Sequence, residues 1–127
     1  MEQKEKQSEN IRGVPPYDET AEQAVLGSMF LDRDAAAIAL EVLMGEDFYR
    51  PDHRMVFEAA QELYRSAAPI DVITVKNKLE EKGVFEQVGG VPFLATLSTA
   101  VGSSVNVRHY ASIVEEKSVL RRLIRTA

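Results

Sequence analysis

The segment from Asp47 to Phe57 constrains the fold more than any other, because it fixes where a helix begins. Pro51 suits the first turn of a helix, where a missing backbone N–H leaves no hydrogen bond unmade. Apolar side chains then recur at four-residue spacing, which is the pattern of an amphipathic helix. The two series are Met55, Ala59 and Leu63 and, one residue later, Val56, Ala60 and Tyr64. The segment therefore starts a helix, and it holds no arrangement typical of a catalytic site.

Two further helices are predicted before this segment. Asp18 is a good N-cap residue and predicts a helix that runs to about Leu31. Asp34 predicts the cap of a short second helix over residues 35–43. Gly27 lies inside the first helix, where glycine costs about 1 kcal/mol relative to alanine. We therefore expect a neighbouring backbone to approach closely at Gly27.

Two more short helices are predicted after Pro51 and its helix. Asp71 predicts the cap of a helix that runs to about Lys82, although Val72–Val75 alone would also fit a β-strand. The strand is the weaker interpretation, because the next residues continue a helical pattern and no partner strand is evident. Gly89-Gly90 marks a turn, and Pro92 then predicts the start of a fifth helix.

The remainder of the chain predicts one long C-terminal helix. From Ser103 or Ser104 onward no glycine or proline interrupts it, and apolar residues recur on one face. Such a helix without a stop signal usually continues in a longer protein or buries its face against another chain. The prediction is an all-α fold: a compact bundle of about five short helices over residues 15–104, followed by the long helix. Residues 1–14 are polar and are predicted to be a flexible tail.

Length and composition limit the class of protein. A chain of 127 residues fits one domain, and 45% hydrophobic with 28% charged residues is typical of a globular chain. No apolar stretch is long enough to cross a bilayer and no signal peptide is evident, so we expect a cytoplasmic protein without a membrane partner. The absence of cysteine excludes disulfides and thiolate metal sites.

The sequence shows no motif for catalysis or cofactor binding. It has no phosphate-binding glycine loop, no paired-histidine zinc motif and no serine elbow. His53 and His109 lie far apart, and no cysteine can complete a metal site with them. The acidic pairs Glu46-Asp47 and Glu80-Glu81 are interpreted as solvated surface. We therefore predict no enzyme activity and no catalytic, cofactor-binding or metal-binding residues in this chain.

Basic residues concentrate near the end of the last helix. The net charge of -5 argues against a general nucleic-acid-binding protein. Positive side chains in this position also complement the helix dipole, which is the simpler interpretation. The alternative is a module that contacts single-stranded DNA, and the residues for that role would be Arg108, Arg121, Arg122 and Arg125.

Several short segments occur in an order and spacing that are more specific than any one of them. They are Pro15-Pro16, Ala21–Gly27, Asp47–Tyr49, His53-Arg54, Ile70-Asp71 with Thr74-Val75, Gly89-Gly90, and Asn106 through Tyr110-Ala111. Together they resemble the N-terminal domain of the bacterial replicative DNA helicase, the DnaB family, over residues 15–127. The chain departs from the family at Ala67-Ala68, where members often carry a glycine, and at Gly102, where a proline is usual.

The resemblance implies an assembly and primase-docking domain. In the family, a compact helical subdomain is followed by a helical hairpin through which protomers pair as dimers within a hexameric ring, and the ring's collar recruits the primase. Residues 105–127 would be the truncated first helix of that hairpin. ATP and Mg²⁺ would serve only the motor domain, which is absent here, and single-stranded DNA would be contacted through the full-length ring. The residues expected at the self-association surface are Tyr110, Ile113, Val114, Leu120, Leu123 and Ile124.

Overall fold

The computed structural model describes residues 13–126. Its helices are α1 (Glu19–Leu31), α2 (Arg33–Val42), α3 (Pro51–Arg65), α4 (Val72–Glu81), α5 (Gly90–Ser98) and α6 (Val107–Thr126), and a 3-10 turn over Gly45–Asp47 precedes α3. Residues 13–126 contain no β-strand, so the predicted all-α fold is confirmed and the strand considered at residues 72–75 is wrong. The predicted tail lies outside the described residues, apart from Gly13 and Val14.

Three helices begin where the sequence predicts. Asp18 caps α1, because its Oδ1 accepts a hydrogen bond from the N–H of Ala21 at 2.9 Å. Asp71 and Thr74 form a capping box at α4, in which each side chain accepts from the other residue's N–H, at 2.8 and 2.9 Å. Pro51 is the first residue of α3. The two aspartate caps and the proline are local signals, so the sequence alone is enough to predict these three helix starts.

The predicted cap of α2 is wrong. Asp32, not Asp34, caps this helix, and its Oδ1 accepts from the N–H of Asp34 at 3.0 Å. The physical reason is that α1 and α2 are separated by one residue. Asp32 has an extended backbone, and it ends α1 and begins α2 at the same position.

The start of α5 also differs from the prediction. The helix begins at Gly90 with Gly89 as its N-cap, so Pro92 lies inside the first turn instead of at its start. Gly89 has a φ of 116°, in the left-handed region that favours glycine. The turn expected at this glycine pair therefore passes directly into the helix.

The C-terminus of α3 is closed by a Schellman motif. The N–H of Ala68 donates to the carbonyl oxygen of Leu63 at 2.9 Å, and the N–H of Ala67 donates to that of Tyr64 at 3.0 Å. Ala67 has a φ of 60° and is the one non-glycine residue with positive φ among residues 13–126. The motif therefore explains why the family that the sequence resembles often carries glycine here.

Helix α1 forms the centre of the core. It packs against α2, α3, α5 and α6, and Val25, Leu26 and Met29 on α1 are fully buried. A Cβ added at Gly27 would lie 2.6 Å from the carbonyl oxygen of Leu97 on α5. The close approach expected at Gly27 is confirmed.

Helix α6 belongs to the core only as far as Ser118. Val107, Ala111, Val114 and Ser118 are its buried residues, and they lie on one face. The helix packs against α1 and α2 and against the 3-10 turn. Beyond Ser118 no described residue of α6 is buried, so the final turns extend past the core.

Candidate interaction surface

A buried carboxylate joins α1 to the start of α3. Glu22 is 1% exposed, and its two oxygens accept from the N–H of Tyr49 at 2.8 Å and from Nδ1 of His53 at 2.7 Å. The N–H of Arg50 lies 3.5 Å from the same carboxylate. The ring of His53 also stacks parallel to that of Phe93 at 5.8 Å. Glu22 and His53 therefore fix the segment that contains Tyr49, and they serve the structure of the site.

A second buried carboxylate joins the 3-10 turn to α6. Asp47 is 8% exposed, its Oδ2 accepts from the N–H of Met44 at 2.7 Å, and its Oδ1 accepts from Oγ of Ser118 at 2.7 Å. Arg122 lies 3.4 Å from the same Oδ1. The interpretation of Asp47 as solvated surface is therefore wrong, because the side chain is buried. A buried carboxylate needs hydrogen-bond partners, and Ser118 and Arg122 on α6 supply two of them. Its neighbour Glu46 is exposed.

Arg121 connects α6 to the N-terminal segment. Its Nη1 donates to the carbonyl oxygen of Pro16 at 3.0 Å, and its Nη2 donates to that of Asp47 at 2.7 Å. Its guanidinium also lies over the ring of Tyr49 at 5.5 Å, and this ring stacks on Tyr17 at 4.4 Å. Burial lowers the pKa of Arg121 from its ordinary value. The guanidinium therefore holds three segments together at the start of the exposed end of α6.

The final turns of α6 expose large apolar side chains. Leu123 is 60% exposed and Ile124 is 61% exposed, while Val119 and Leu120 are close to 40% exposed, at 39% and 38%. Residues at three- and four-residue spacing share one helix face, so Leu120, Leu123 and Ile124 form one apolar patch. We call these three residues the α6 patch. A patch of this kind on an otherwise polar helix is typical of a protein interface.

The six residues predicted for self-association do not lie together. Val114 is 1% exposed and belongs to the core, so in this conformation it is not accessible to a partner. Tyr110 and Ile113 are partly buried and pack against the core. The other three predicted residues form the α6 patch. The sequence pattern could not separate the core residues from the α6 patch, because all six lie on one apolar stripe. The start of this stripe packs against the core, and its end is exposed to solvent.

The four predicted arginines are divided in the same way. Arg108 is exposed near the start of α6, about 20 Å along the helix from Arg121 at 1.5 Å per residue. Arg121 is used by the internal contacts described above, and Nη1 of Arg122 also lies 3.0 Å from Oγ of Ser118. Arg125 is exposed. The structure therefore brings together Arg121, Arg122 and Arg125 without Arg108.

Sequence reasoning missed the roles of Glu22 and Asp47. A signal was present for Glu22, because it lies three and four residues before Val25 and Leu26, on the apolar face of α1. A carboxylate on such a face must find buried donors. Asp47 carried no comparable signal, since its main partner, Ser118, is distant in sequence.

The part of the chain that the structure describes contains neither a metal-binding cluster nor a membrane-spanning helix. Among residues 13–126, no group of three or more His, Asp or Glu side chains could hold a metal ion. Within the same residues, no helix is both long enough and apolar enough to span a membrane.

The fold and the surface together define a helical interaction domain: a compact bundle with a buried polar framework and an exposed apolar helix end. The family model described as the DnaB-like helicase N terminal domain matches residues 14–116. The chain belongs to this family, as the resemblance in the sequence predicts.

Relatives agree with this assignment. The chain is 49% identical over 114 residues to the replicative DNA helicase DnaB of Geobacillus stearothermophilus, and 45% identical over 117 residues to that of Mycobacterium leprae. These matches cover 90% and 92% of this chain but 25% and 19% of those proteins. The chain therefore spans a quarter or less of the length of these two relatives.

Solved structures show the same fold. The crystal structure of the N-terminal domain of DnaB helicase from Mycobacterium tuberculosis matches with a TM-score of 0.85 and 47% identity, covering 87% of this chain and 80% of that one. The N-terminal domain of DnaB helicase from Helicobacter pylori, a structure that also concerns its interactions with primase, matches with a TM-score of 0.72 and 25% identity. That match covers 84% of this chain and 83% of the other.

Proposed function

We propose that this chain is the assembly and primase-docking domain of a bacterial replicative DNA helicase. Membership of the DnaB N-terminal family supports this function, and so do the interactions with primase that are described for the Helicobacter pylori domain. Protomers pair through the C-terminal helix, and the assembled collar docks the primase. Residues 105–127 are proposed to be the first helix of the pairing hairpin.

The contrast along α6 is the single observation that carries this proposal. Val114 and Ser118 are 1% and 2% exposed. About two turns further along the helix, Leu123 and Ile124 are 60% and 61% exposed. Burying a leucine or isoleucine side chain contributes about 1.5–3 kcal/mol, so a helix end that exposes two of them gains by pairing. An identical helix end in a second protomer would cover the patch symmetrically.

The pairing is tested by changing Leu120→Ala and Leu123→Ala together and measuring molar mass by sedimentation over a concentration series. We expect the dissociation constant of the self-associated form to rise by about tenfold or more, because buried apolar anchors dominate interface energies. Ile73→Ala is the matched control, since Ile73 on α4 is 69% exposed and lies outside the α6 patch. An unchanged mass distribution in the double variant would refute pairing through this surface.

Primase docking is tested by calorimetric titration with the C-terminal domain of the cognate primase. The titration uses this chain and a version extended through the second hairpin helix. Saturable binding to both places the docking surface within residues 1–127. Binding only to the extended form places it on the missing helix, and binding to neither form leaves assembly as the proposed role.

The chemical activity of the helicase is proposed to lie outside this chain. ATP and Mg²⁺ would serve the motor domain of the longer protein, and the described residues offer no acidic cluster that fits a metal ion. We infer a cytoplasmic site of action, because chromosome replication in bacteria takes place there. Single-stranded DNA is proposed as a ligand of the complete ring only. The α6 arginines do not favour direct contact along a strand, because Arg108 lies about 20 Å along the helix from Arg121.

A further inference from the structure

A groove of roughly 910 Å³ separates the N-terminal segment from the exposed end of α6. Residues 13–16 form one wall, and residues 118–125 of α6 provide the other. Phe48 and Tyr49 lie between them, in the segment held by Glu22 and Asp47. The volume is in the range of sites that bind small ligands or short peptide segments. The buried carboxylates on both sides make this groove a built feature of the fold.

The lining of the groove is rich in arginine although the chain is negative. Among the described residues, four arginines line it, Arg54, Arg121, Arg122 and Arg125, against one lining carboxylate, Glu46. The buried carboxylate of Asp47 lies 3.4 Å from Arg122 and offsets part of this charge. The whole chain has a net charge of -5. Arg54 and Arg121 donate to backbone carbonyl groups, which satisfy N–H donors without neutralising the charge. Burial lowers the pKa of Arg121, the nearby carboxylates of Glu22 and Asp47 act in the opposite direction, and the like charge of Arg125 lowers it further. An anionic ligand would therefore be attracted to this part of the surface.

The same groove has an apolar side. Val14, Pro15 and Pro16 form the N-terminal wall, and Ile124 faces the groove from α6. Proline has no backbone N–H, so this wall offers few hydrogen-bond donors. The N-terminal wall therefore suits an apolar side chain of the ligand better than a charged one. The complementary ligand is therefore both acidic and partly apolar.

The aromatic residues do not favour a nucleic acid. Proteins that bind single strands without sequence preference usually present open aromatic faces on which bases stack. Here the ring of Tyr49 stacks on Tyr17, at 4.4 Å, and also lies beneath the guanidinium of Arg121, at 5.5 Å. Tyr49 is therefore engaged on its own protein. The remaining lining of arginines and aliphatic side chains suits a peptide.

We propose that this groove binds an acidic, extended segment of a partner protein that carries an apolar side chain. The carboxylates of the segment pair chiefly with Arg125, and its apolar side chain enters between Val14 and Ile124. This function goes beyond assembly and primase docking. The groove shares only Ile124 with the α6 patch. The two surfaces are tested separately by variants that leave Ile124 unchanged, at Leu120 and Leu123 for pairing and at Val14 and Arg125 for the groove.

Fluorescence anisotropy with a labelled synthetic peptide tests the proposal. The probe is Glu-Asp-Glu-Leu-Phe-Asp-Glu, titrated with the chain at low and physiological salt. Arg125→Glu is expected to weaken binding by about tenfold, because it replaces a charge-assisted contact with repulsion. Arg108→Glu is the matched control, since it makes the same charge change on the same helix, outside the groove. At physiological salt it should leave the affinity within about twofold, because the Debye length is then about 8 Å and the charge is screened at that distance.

Further variants test the two halves of the ligand and the opposite wall. Replacing the acidic residues of the peptide by their amides, or Leu-Phe by two serines, should each weaken binding. Val14→Ser should do the same without changing the helices, because residue 14 lies outside all of them. Sedimentation of the same samples shows whether self-association is intact, which separates failure of this proposal from failure of pairing.

Several results would overturn the proposal. They are the absence of saturable peptide binding, equal losses with Arg125→Glu and Arg108→Glu, and unchanged binding of the amide peptide. An oligothymidylate strand is titrated in parallel. If it binds more tightly than the peptide and loses affinity with Arg125→Glu, the groove is a nucleic-acid site instead.

Discussion

The carboxylate of Glu22 on α1 accepts a hydrogen bond from Nδ1 of His53 on α3 at 2.7 Å, and both side chains are buried. An ionised carboxylate can only accept, so the proton of this bond belongs to the histidine. The other oxygen of Glu22 accepts from the N–H of Tyr49 at 2.8 Å. Glu22 thus connects its own segment to two others that carry the resemblance to the family, Asp47–Tyr49 and His53-Arg54, and it holds the base of the groove.

Removing this carboxylate should be strongly destabilising. Glu22→Ala leaves the buried ring N–H of His53 and the partly buried N–H of Tyr49 without their partner, and we expect the free energy of unfolding to fall by about 3 kcal/mol. Urea denaturation followed by circular dichroism measures the change. Glu19→Ala is the control, because Glu19 pairs with Arg50 at the surface of the same helix, and such pairs contribute less than about 1 kcal/mol. Equal losses in the two variants would contradict the structural role of Glu22.

Asp47 and Ser118 should be energetically coupled. Asp47→Ala removes acceptors for the N–H of Met44 and for Ser118, and we expect a loss of about 2 kcal/mol, with about 1 kcal/mol for Ser118→Ala. Because the two residues share a buried hydrogen bond of 2.7 Å, the double variant should lose less than the sum. A double-mutant cycle by urea denaturation gives the coupling, expected to be about 1 kcal/mol. Glu46→Ala with Ser118→Ala, which removes an exposed neighbour instead, should be additive.

Ala67 is expected to be a site of backbone strain that glycine relieves. A left-handed conformation costs a non-glycine residue about 1–2 kcal/mol, and glycine removes this cost. Glycine also has greater conformational freedom in the unfolded chain, which favours unfolding and offsets about half of the gain. Ala67→Gly should therefore raise the free energy of unfolding by about 0.5–1 kcal/mol. Ala95→Gly is the control of opposite sign, because Ala95 is exposed within α5 and the change should cost about 1 kcal/mol. A loss of stability in both variants would show that Ala67 is not strained.

The helices were predictable from sequence where a local signal fixes them. The caps Asp18 and Asp71 bond to N–H groups three residues away, so sequence alone contains both partners. The prediction of Asp34 as a cap is wrong because Asp32, with the same side chain, lies two residues before it and is the actual N-cap. The selection between them depends on where α1 ends, and tertiary packing decides this.

The surface was less predictable than the helices. Val114 and Ile124 belong to one apolar pattern, yet one is 1% exposed and the other 61% exposed. Periodicity records which residues share a face, but it does not record how far the core extends along that face. The groove was not predictable either, because its wall at Pro16 meets α6 through Arg121, 105 residues later in the sequence.

The ion pair at the start of α3 should make stability depend on pH in the acid range. Burial raises the pKa of Asp52, but the hydrogen bonds from Arg50, at 2.8 and 3.1 Å, and the nearby charges outweigh it and hold this pKa below its ordinary value. A depressed pKa in the folded state contributes stability above the unfolded pKa, near 3.9, and this contribution is lost as pH falls through the folded value. We therefore expect Asp52→Asn to destabilise the protein by about 1 kcal/mol near pH 6, and the difference from the parent to shrink progressively below about pH 4. Urea denaturation at a series of pH values measures this difference in stability.

Repeating the comparison in an Arg50→Ala background removes the main partner of Asp52, so most of this pH dependence should disappear. A difference that stays constant from pH 6 to pH 2.5 in the parent background would show that Asp52 is not held in its charged form by Arg50.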